Sequence, residues 1–407
     1  MPLSGAAEPK SLESDADGGL VLAGDFTGTL HADALTAASA GGRDVFVVRT
    51  TPGDQVRWLH RLGGPRDDYA SVAVVAPGGD VLVAGQAEGR CFVARLAAQD
   101  GHELWAIRID GDGESMCRAL DVDAQGEVWT TGFFDGTLHG AQSRGLYDFF
   151  AARLKGESGD LAFFKAWGGK GKELPRAIKA LPSGGALIAG QFGGEVNDFE
   201  SDVNFGKGPV RSAGDFDAFL FEIDGGGGTR WALSLGDNGD DELNALALGK
   251  DGAIYASGHH QPPGDFRGVS PHGLGNFTGL VLRVQPDGAG QWVRLFEGPS
   301  SAANFLAFDG DGRLWTAGNF KGELRVGAHL ADSAGKTDAF ALAFDAGNGA
   351  TRDVRVWGSP EFDYARGVAA IPGGLAVAGF TYGELQICGK PIGAPGEQTA
   401  WVTWQRR

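Results

Sequence analysis

The chain has little of what would place it in several common classes. Its 407 residues include only three cysteines, Cys91, Cys117 and Cys388. That number is odd and too small for a disulfide framework, and each lies among apolar strand-like residues, so buried free thiols are expected. No stretch approaches the roughly 18 consecutive apolar residues of a membrane helix, so no membrane insertion is expected. The start, Met-Pro-Leu-Ser-Gly, has no apolar run behind a basic segment, so no secretion signal is expected either. Basic residues are scarce: 35 Lys and Arg stand against 52 Asp and Glu, a net charge of −17. Phosphate backbones and anionic membrane surfaces demand the opposite sign, which argues against nucleic acid and in favour of cations or basic partners. Gly-x-Ser-x-Gly, His-Glu-x-x-His and Cys-x-x-Cys are all missing, so no recognised hydrolytic or redox constellation is present. Gly335-Lys336-Thr337 ends like a phosphate loop, but Leu330 occupies the place of its first glycine.

Glycine is plentiful. Its 69 copies, in a chain that is 42 % hydrophobic, indicate many short strands joined by tight turns, an all-β class. One glycine recurs at the end of a β-pattern as Gly24, Gly85, Gly132, Gly190, Gly258, Gly318 and Gly379, each with a second glycine six residues earlier, from Gly18 to Gly373. The mean spacing of about 59 residues suits a four-stranded propeller blade with one extended loop. In the second repeat, period-2 patterning and turn chemistry place strand a at 71–76, strand b at 81–86, strand c from Cys91 and strand d around Trp105. The sequence therefore predicts a single closed seven-bladed β-propeller with four antiparallel strands per blade. Its approximate repeats are 6–64, 65–111, 112–169, 170–237, 238–298, 299–359 and 360–407 plus 2–5. The last unit ends before a strand d, and residues 2–5 align with the end of one, so the N-terminal residues are expected to complete the last blade.

Strand c carries a large apolar residue at one position (Phe46, Phe92, Phe150, Phe219, Leu280, Phe340, Trp401), and strand d carries Trp58, Trp105, Phe163, Trp231 and Trp292. Rings at fixed places in every unit read as packing between blades. Four units share Ser-x-Gly-x-x-Asp before strand c, ending at Asp44, Asp148, Asp217 and Asp338. This is turn chemistry, with the Asp accepting backbone N–H bonds.

These runs carry a family resemblance. The stretch from Ser39 to Arg49, then Trp58, Leu62-Gly63-Gly64, Asp67-Asp68-Tyr69-Ala70 and Gly79 to Gly85 resemble the SBBP-type β-propeller repeat of bacterial surface and secreted proteins, over nearly the whole chain. The resemblance implies the fold and an extracytoplasmic (periplasmic or secreted) location. It implies no single activity, because architecture defines that family.

Strand a begins and strand b ends on one face of each blade, so the d–a and b–c connections, which are the long ones, build the face where a site is expected. The residue after the recurrent glycine gives the first candidate set: Asp25, Gln86, Phe133, Gln191, His259, Asn319 and Phe380. At the entrance to strand a stand Asp68, Glu173, Asp241 and Asp363, with Ala7, Ser115 and Ser301 in that place in other units, and three residues after this place come Arg118, Arg176, Arg366 and Lys10. The plain reading is that these acids and bases pair with one another or bond loop amides. The functional reading is a polar mouth receiving a small ligand or peptide. A second, metal-binding set is Glu195, Asp198, Glu200 and Asp202 in the longest b–c loop, with His259, His260 and His272, since carboxylate and imidazole suit several divalent cations, calcium among them. Otherwise no cofactor is expected. Asp110 to Glu114 with Asp121 resembles a calcium loop only loosely, and the Asp15 and Asp309 segments read as hairpin turns. Two functions follow. One is a non-catalytic, monomeric module binding a protein, peptide or glycan on the long-loop face. The other is a propeller lyase or hydrolase, with or without metal assistance, using Glu195, Asp198, His259, His260 and His272.

Overall fold

The computed structural model describes residues 3–194, 202–262, 266 and 275–406. It is all-β, a seven-bladed β-propeller. Six sheets contain the a-b-c-d order of four antiparallel strands, and the last has three among the described residues. The third blade is representative: strands Ser115–Val122, Val128–Phe134, Asp148–Leu154 and Leu161–Trp167 pair in sequence order. The chain divides into two compact units. One comprises Met1–Val83, Arg95–Leu104 and Phe296–Arg407, with the first, sixth and seventh blades; the other comprises Ala84–Ala94 and Trp105–Leu295, with the third to fifth.

The recurrent glycines have distinct physical causes. The earlier of each pair sits in the a–b turn with φ between +73° and +89°, a region open to glycine at little cost. The later one lies in strand b opposite a β-bulge in strand a. The register shifts at Pro9/Ser11, Cys117/Ala119, Pro175/Ala177, Leu243/Ala245, Ala303/Phe305 and Ala365/Gly367. At each bulge a strand-a carbonyl is pushed towards the glycine, so that a Cβ on Gly132, Gly258 or Gly318 would collide with the oxygen of Met116, Glu242 or Ala302.

The expected packing layer is present. All seven strand-c residues are buried, from Phe46 at 0 % exposed to Phe92 at 5 %. Trp58, Trp105, Phe163 and Trp231 each pack on a c–d turn glycine one blade on, respectively Gly101, Gly159, Gly227 and Gly288. Trp58, Trp105 and Trp231 also donate their indole N–H to backbone oxygens of Ala98, Gly156 and Pro286.

Two expectations are corrected. Leu3 and Ser4 pair with Ala32 and His31, extending strand a of the first blade along the long strand Leu20–Ala32. Described residues of the segment 2–5 thus do not complete the last blade. Backbone pairing follows the continuous strand Leu3–Ser14, which a break after residue 5 would have interrupted. Of the cysteines, Cys91 and Cys117 are joined in a disulfide, with Cα atoms 4.8 Å apart, and Cys388 is exposed and free. The bonded pair lies in strand c of the second blade and strand a of the third, a neighbour relation that linear spacing did not reveal.

Two outcomes test this description. Gly132→Ala should lower stability by several times the roughly 1 kcal/mol expected for Gly126→Ala, whose Cβ would meet open space, with both read by denaturant melts. Thiol titration of the unfolded, unreduced chain should give one reactive sulfur, rising to three after reduction; loop closure across the pair is worth about 3.5 kcal/mol in the chain-entropy account.

Candidate functional site

The acids at the entrance to strand a share one task. Asp68, Glu173, Asp241 and Asp363 accept hydrogen bonds from the backbone N–H four residues before them, on Gly64 (2.6 Å), Gly169 (2.9 Å), Asp237 (3.1 Å) and Ser359 (2.6 Å). The strand-c acids Asp44, Asp148, Asp217 and Asp338 repeat the geometry on Ala40, Arg144, Ala213 and Ala334. Each carboxylate closes a short loop, which supports the plain reading of this set. The two series meet: a Cβ on Gly63 would lie against both Asp44 and Asp68. Burial drives Glu173 up to about 8, with Asp148 adding to the effect against the Gly169 amide and Arg144, and drives Asp217 up to about 6, with Asp241 adding to it.

The bulges explain the third set. Lys10, Arg118, Arg176 and Arg366 are the extra residues of their bulges, as are Asn244 and Asn304. A bulge turns its extra side chain away from the regular alternation. Sequence reading missed Asn244 and Asn304 because it sought charge; the offset of three residues after the strand-a entrance would have found them. These side chains meet the residues that follow the strand-b glycines. Lys10 lies 2.7 Å from Glu8 and 3.6 Å from Asp25, and Arg43 lies 3.3 Å from Asp25. Burial still lifts Asp25 to about 6 against both cations. Asn304 donates to Asn319 at 3.2 Å. Gln86 donates to Glu114 at 2.9 Å, while Gln191 is half-buried in the strand Ala186–Gly193.

A polar cluster spans the fourth and fifth blades. Arg176 donates through Nε to Glu242, which also faces His259 at 3.8 Å. Against its burial, Arg176 and His259 hold the Glu242 carboxyl below its ordinary value. Burial lowers His259 and, helped by Arg176, pulls Arg118 down to about 10. Glu242 was absent from the sequence-derived candidates although it directly follows Asp241 and Glu8 holds the same place in the first blade.

His259 and His260 do not converge. Successive strand residues face opposite ways, so His259 meets Glu242 and Phe277, whereas His260 is fully buried with Nδ1 2.5 Å from Asp241 and its ring 5.7 Å from Phe266. Of the acidic-loop candidates, Asp202 pairs with Arg211 in a hairpin and lines a cavity of about 510 Å³ together with Arg144, Lys165 and Lys170. Glu195, Asp198, Glu200 and His272 lie outside the described residues. Asp121 is engaged by Lys179 at 2.8 Å and by the Ala180 N–H. Asp15 and Asp309 cap hairpin turns as expected.

In the seventh blade the same face is aromatic. Phe362, Tyr364, Phe380 and Tyr382 follow one another at ring separations of 6.2, 5.1 and 5.7 Å. The Arg366 guanidinium lies 5.2 and 5.1 Å from the Tyr364 and Phe380 rings, and Lys336 lies 5.0 Å from Phe362. Phe362 is 36 % exposed, among the most exposed large apolar residues described.

The buried acids give a pH test. A carboxyl whose folded value exceeds its unfolded one keeps its proton preferentially in the native state, so its contribution to stability falls as pH rises from about 4.5 to about 8. Glu173→Gln should remove that slope and leave the variant more stable than the parent at pH 8.5, with little difference at pH 4.5, in denaturant melts at both values.

No family model and no curated protein matches the chain. Solved structures do. The Pan2 WD40 domain of Neurospora crassa aligns over 98 % of this chain and 89 % of its own at 12 % identity and a TM-score of 0.51. The quinohemoprotein alcohol dehydrogenase of Comamonas testosteroni aligns over 98 % and 76 % at 10 % identity and 0.50. BamB of Moraxella catarrhalis aligns over 100 % and 98 % at 11 % and 0.42. At such identities the likeness is one of fold: the chain is a β-propeller, similar in architecture to proteins of unrelated roles.

Proposed function

We propose that this chain is a non-catalytic binding module that recognises a protein, peptide or glycan through the face built by the b–c and d–a connections. The observation that carries the reading is the aromatic ladder Phe362–Tyr364–Phe380–Tyr382 with Arg366 and Lys336 beside its rings. Aromatic rings with polar tips and adjacent cations offer large contact area at low entropic cost, the composition that dominates recognition surfaces. At other strand ends polar side chains pair with one another, Arg176 with Glu242 and Asn304 with Asn319, which suits a pre-organised surface. The SBBP-type resemblance and the Cys91–Cys117 disulfide together support an extracytoplasmic setting, since such bonds persist where the environment oxidises.

Selection of peptide and glycan libraries on the immobilised chain should recover ligands whose affinity falls about tenfold or more in Phe362→Ala and Tyr364→Ala, the cost typical of a truncated aromatic anchor. Ligands that bind both variants as well as the parent, or no selected ligand at all, would count against this surface.

A further inference from the structure

The fifth blade departs from the repeat at two places that converge on one carboxylate. Two residues beyond the strand-b glycine, four blades carry a buried phenylalanine, Phe26, Phe134, Phe192 and Phe320, and the fifth carries His260, equally buried. Four residues before the strand-a acid, the second and fourth blades have Gly64 and Gly169, and the fifth has Asp237. Neither change is needed by the fold: phenylalanine fills the first position elsewhere, and the second serves through its backbone N–H alone. Together they bring an imidazole and a second carboxylate to Asp241.

The ligand atoms of Asp237, Asp241 and His260 all lie within 4.8 Å of one another. Bonds from a divalent ion to nitrogen or oxygen run about 2.0–2.2 Å, so ligands of one ion sit up to about 4.4 Å apart. The cluster therefore closes on an ion when its longer separations contract by a few tenths of an ångström and the 2.5 Å contact of His260 Nδ1 with Asp241 opens by roughly half an ångström or more. A second observation points the same way. Asp237 Oδ1 is buried with no hydrogen-bond partner, and so are Asp217 Oδ1 and Asp240 Oδ1 nearby. Among the described residues no Lys or Arg ion-pairs with Asp217, Asp237 or Asp241. Buried carboxylates without counter-charge are costly, and a bound cation relieves that cost.

We propose that Asp237, Asp241 and His260 form a divalent transition-metal site of the Zn²⁺ or Mn²⁺ type in the fifth blade, separate from the aromatic surface of the seventh. An imidazole among the ligands selects these ions over Ca²⁺ and Mg²⁺, which take oxygen donors. The cation takes the place of the proton shared by the His260 imidazole and the Asp241 carboxylate, and that proton leaves to solvent. The bound ion fixes the d–a connection at Asp237 to strand b at His260.

The test is calorimetric titration of the full chain, stripped with chelator, using Zn²⁺, Mn²⁺ and Ca²⁺, with Co²⁺ visible absorption as a report on the ligand set. The expected result is one Zn²⁺ site per chain, a cobalt spectrum showing nitrogen ligation, and a melting temperature that rises with Zn²⁺. His260→Phe and Asp237→Gly install residues that other blades already carry and should fold. Each should weaken Zn²⁺ binding by at least about tenfold, the loss that even supporting partners of metal ligands produce, and His260→Phe should abolish the cobalt spectrum. Absence of saturable binding, binding unchanged in both variants, or Ca²⁺ bound as tightly as Zn²⁺ and indifferent to His260→Phe would each overturn the proposal.

Discussion

The close approach of strand a to strand b at the bulge is the constraint from which the rest of each blade follows. Inserting one residue into strand a presses its carbonyl against the facing strand, and only glycine leaves room there. The same insertion swings Lys10, Arg118, Arg176, Asn244, Asn304 or Arg366 out of alternation to the ends of the strands. One backbone irregularity thus sets both the glycine signature of the fold and the polar side chains of its candidate surface.

Loop closure rests on a second repeated device. At four blade junctions two carboxylates, such as Asp148 with Glu173 and Asp217 with Asp241, each hold the amide four residues upstream while buried beside the other. A carboxylate accepts several amide bonds at once, which shapes a tight loop, but the two like charges share a poorly hydrated space. The elevated values at Glu173 and Asp217 show that burial outweighs the amide bonds that oppose it. In the fifth blade the same junction has gained His260 and Asp237, so a structural feature shared by four junctions has there become a cluster with the donors of a metal site.

The aromatic ladder and the Arg176–Glu242–His259 cluster occupy equivalent strand ends in different blades. Their chemistry differs because the packing layer is built chiefly by other positions, the strand-c residue and, in five units, the strand-d ring among them. Side chains on the bulge and after the strand-b glycine carry no such obligation. They diverge to Asp25, Phe133, His259 or Phe380 without disturbing the sheet.

Blade number, strand order, the packing layer and the role of the Ser-x-Gly-x-x-Asp acids were legible in the sequence, because each depends on local turn chemistry or a two-residue period repeated seven times. The amide-bonding role of Asp68, Glu173, Asp241 and Asp363 was one of two readings, and the partner four residues upstream of each supports it. What crosses from blade to blade was not legible. Linear spacing left Cys91 and Cys117 as separate thiols, and only the neighbouring of two strands pairs them. The adjacent histidines looked like one ligand pair, but strand alternation sends His259 to Glu242 and His260 to Asp241. The sequence by itself determined a propeller of seven repeats, since periodic patterning acts within a few residues. Which acids, imidazoles and rings meet was decided by tertiary structure, because those contacts join residues that nothing in the local pattern connects.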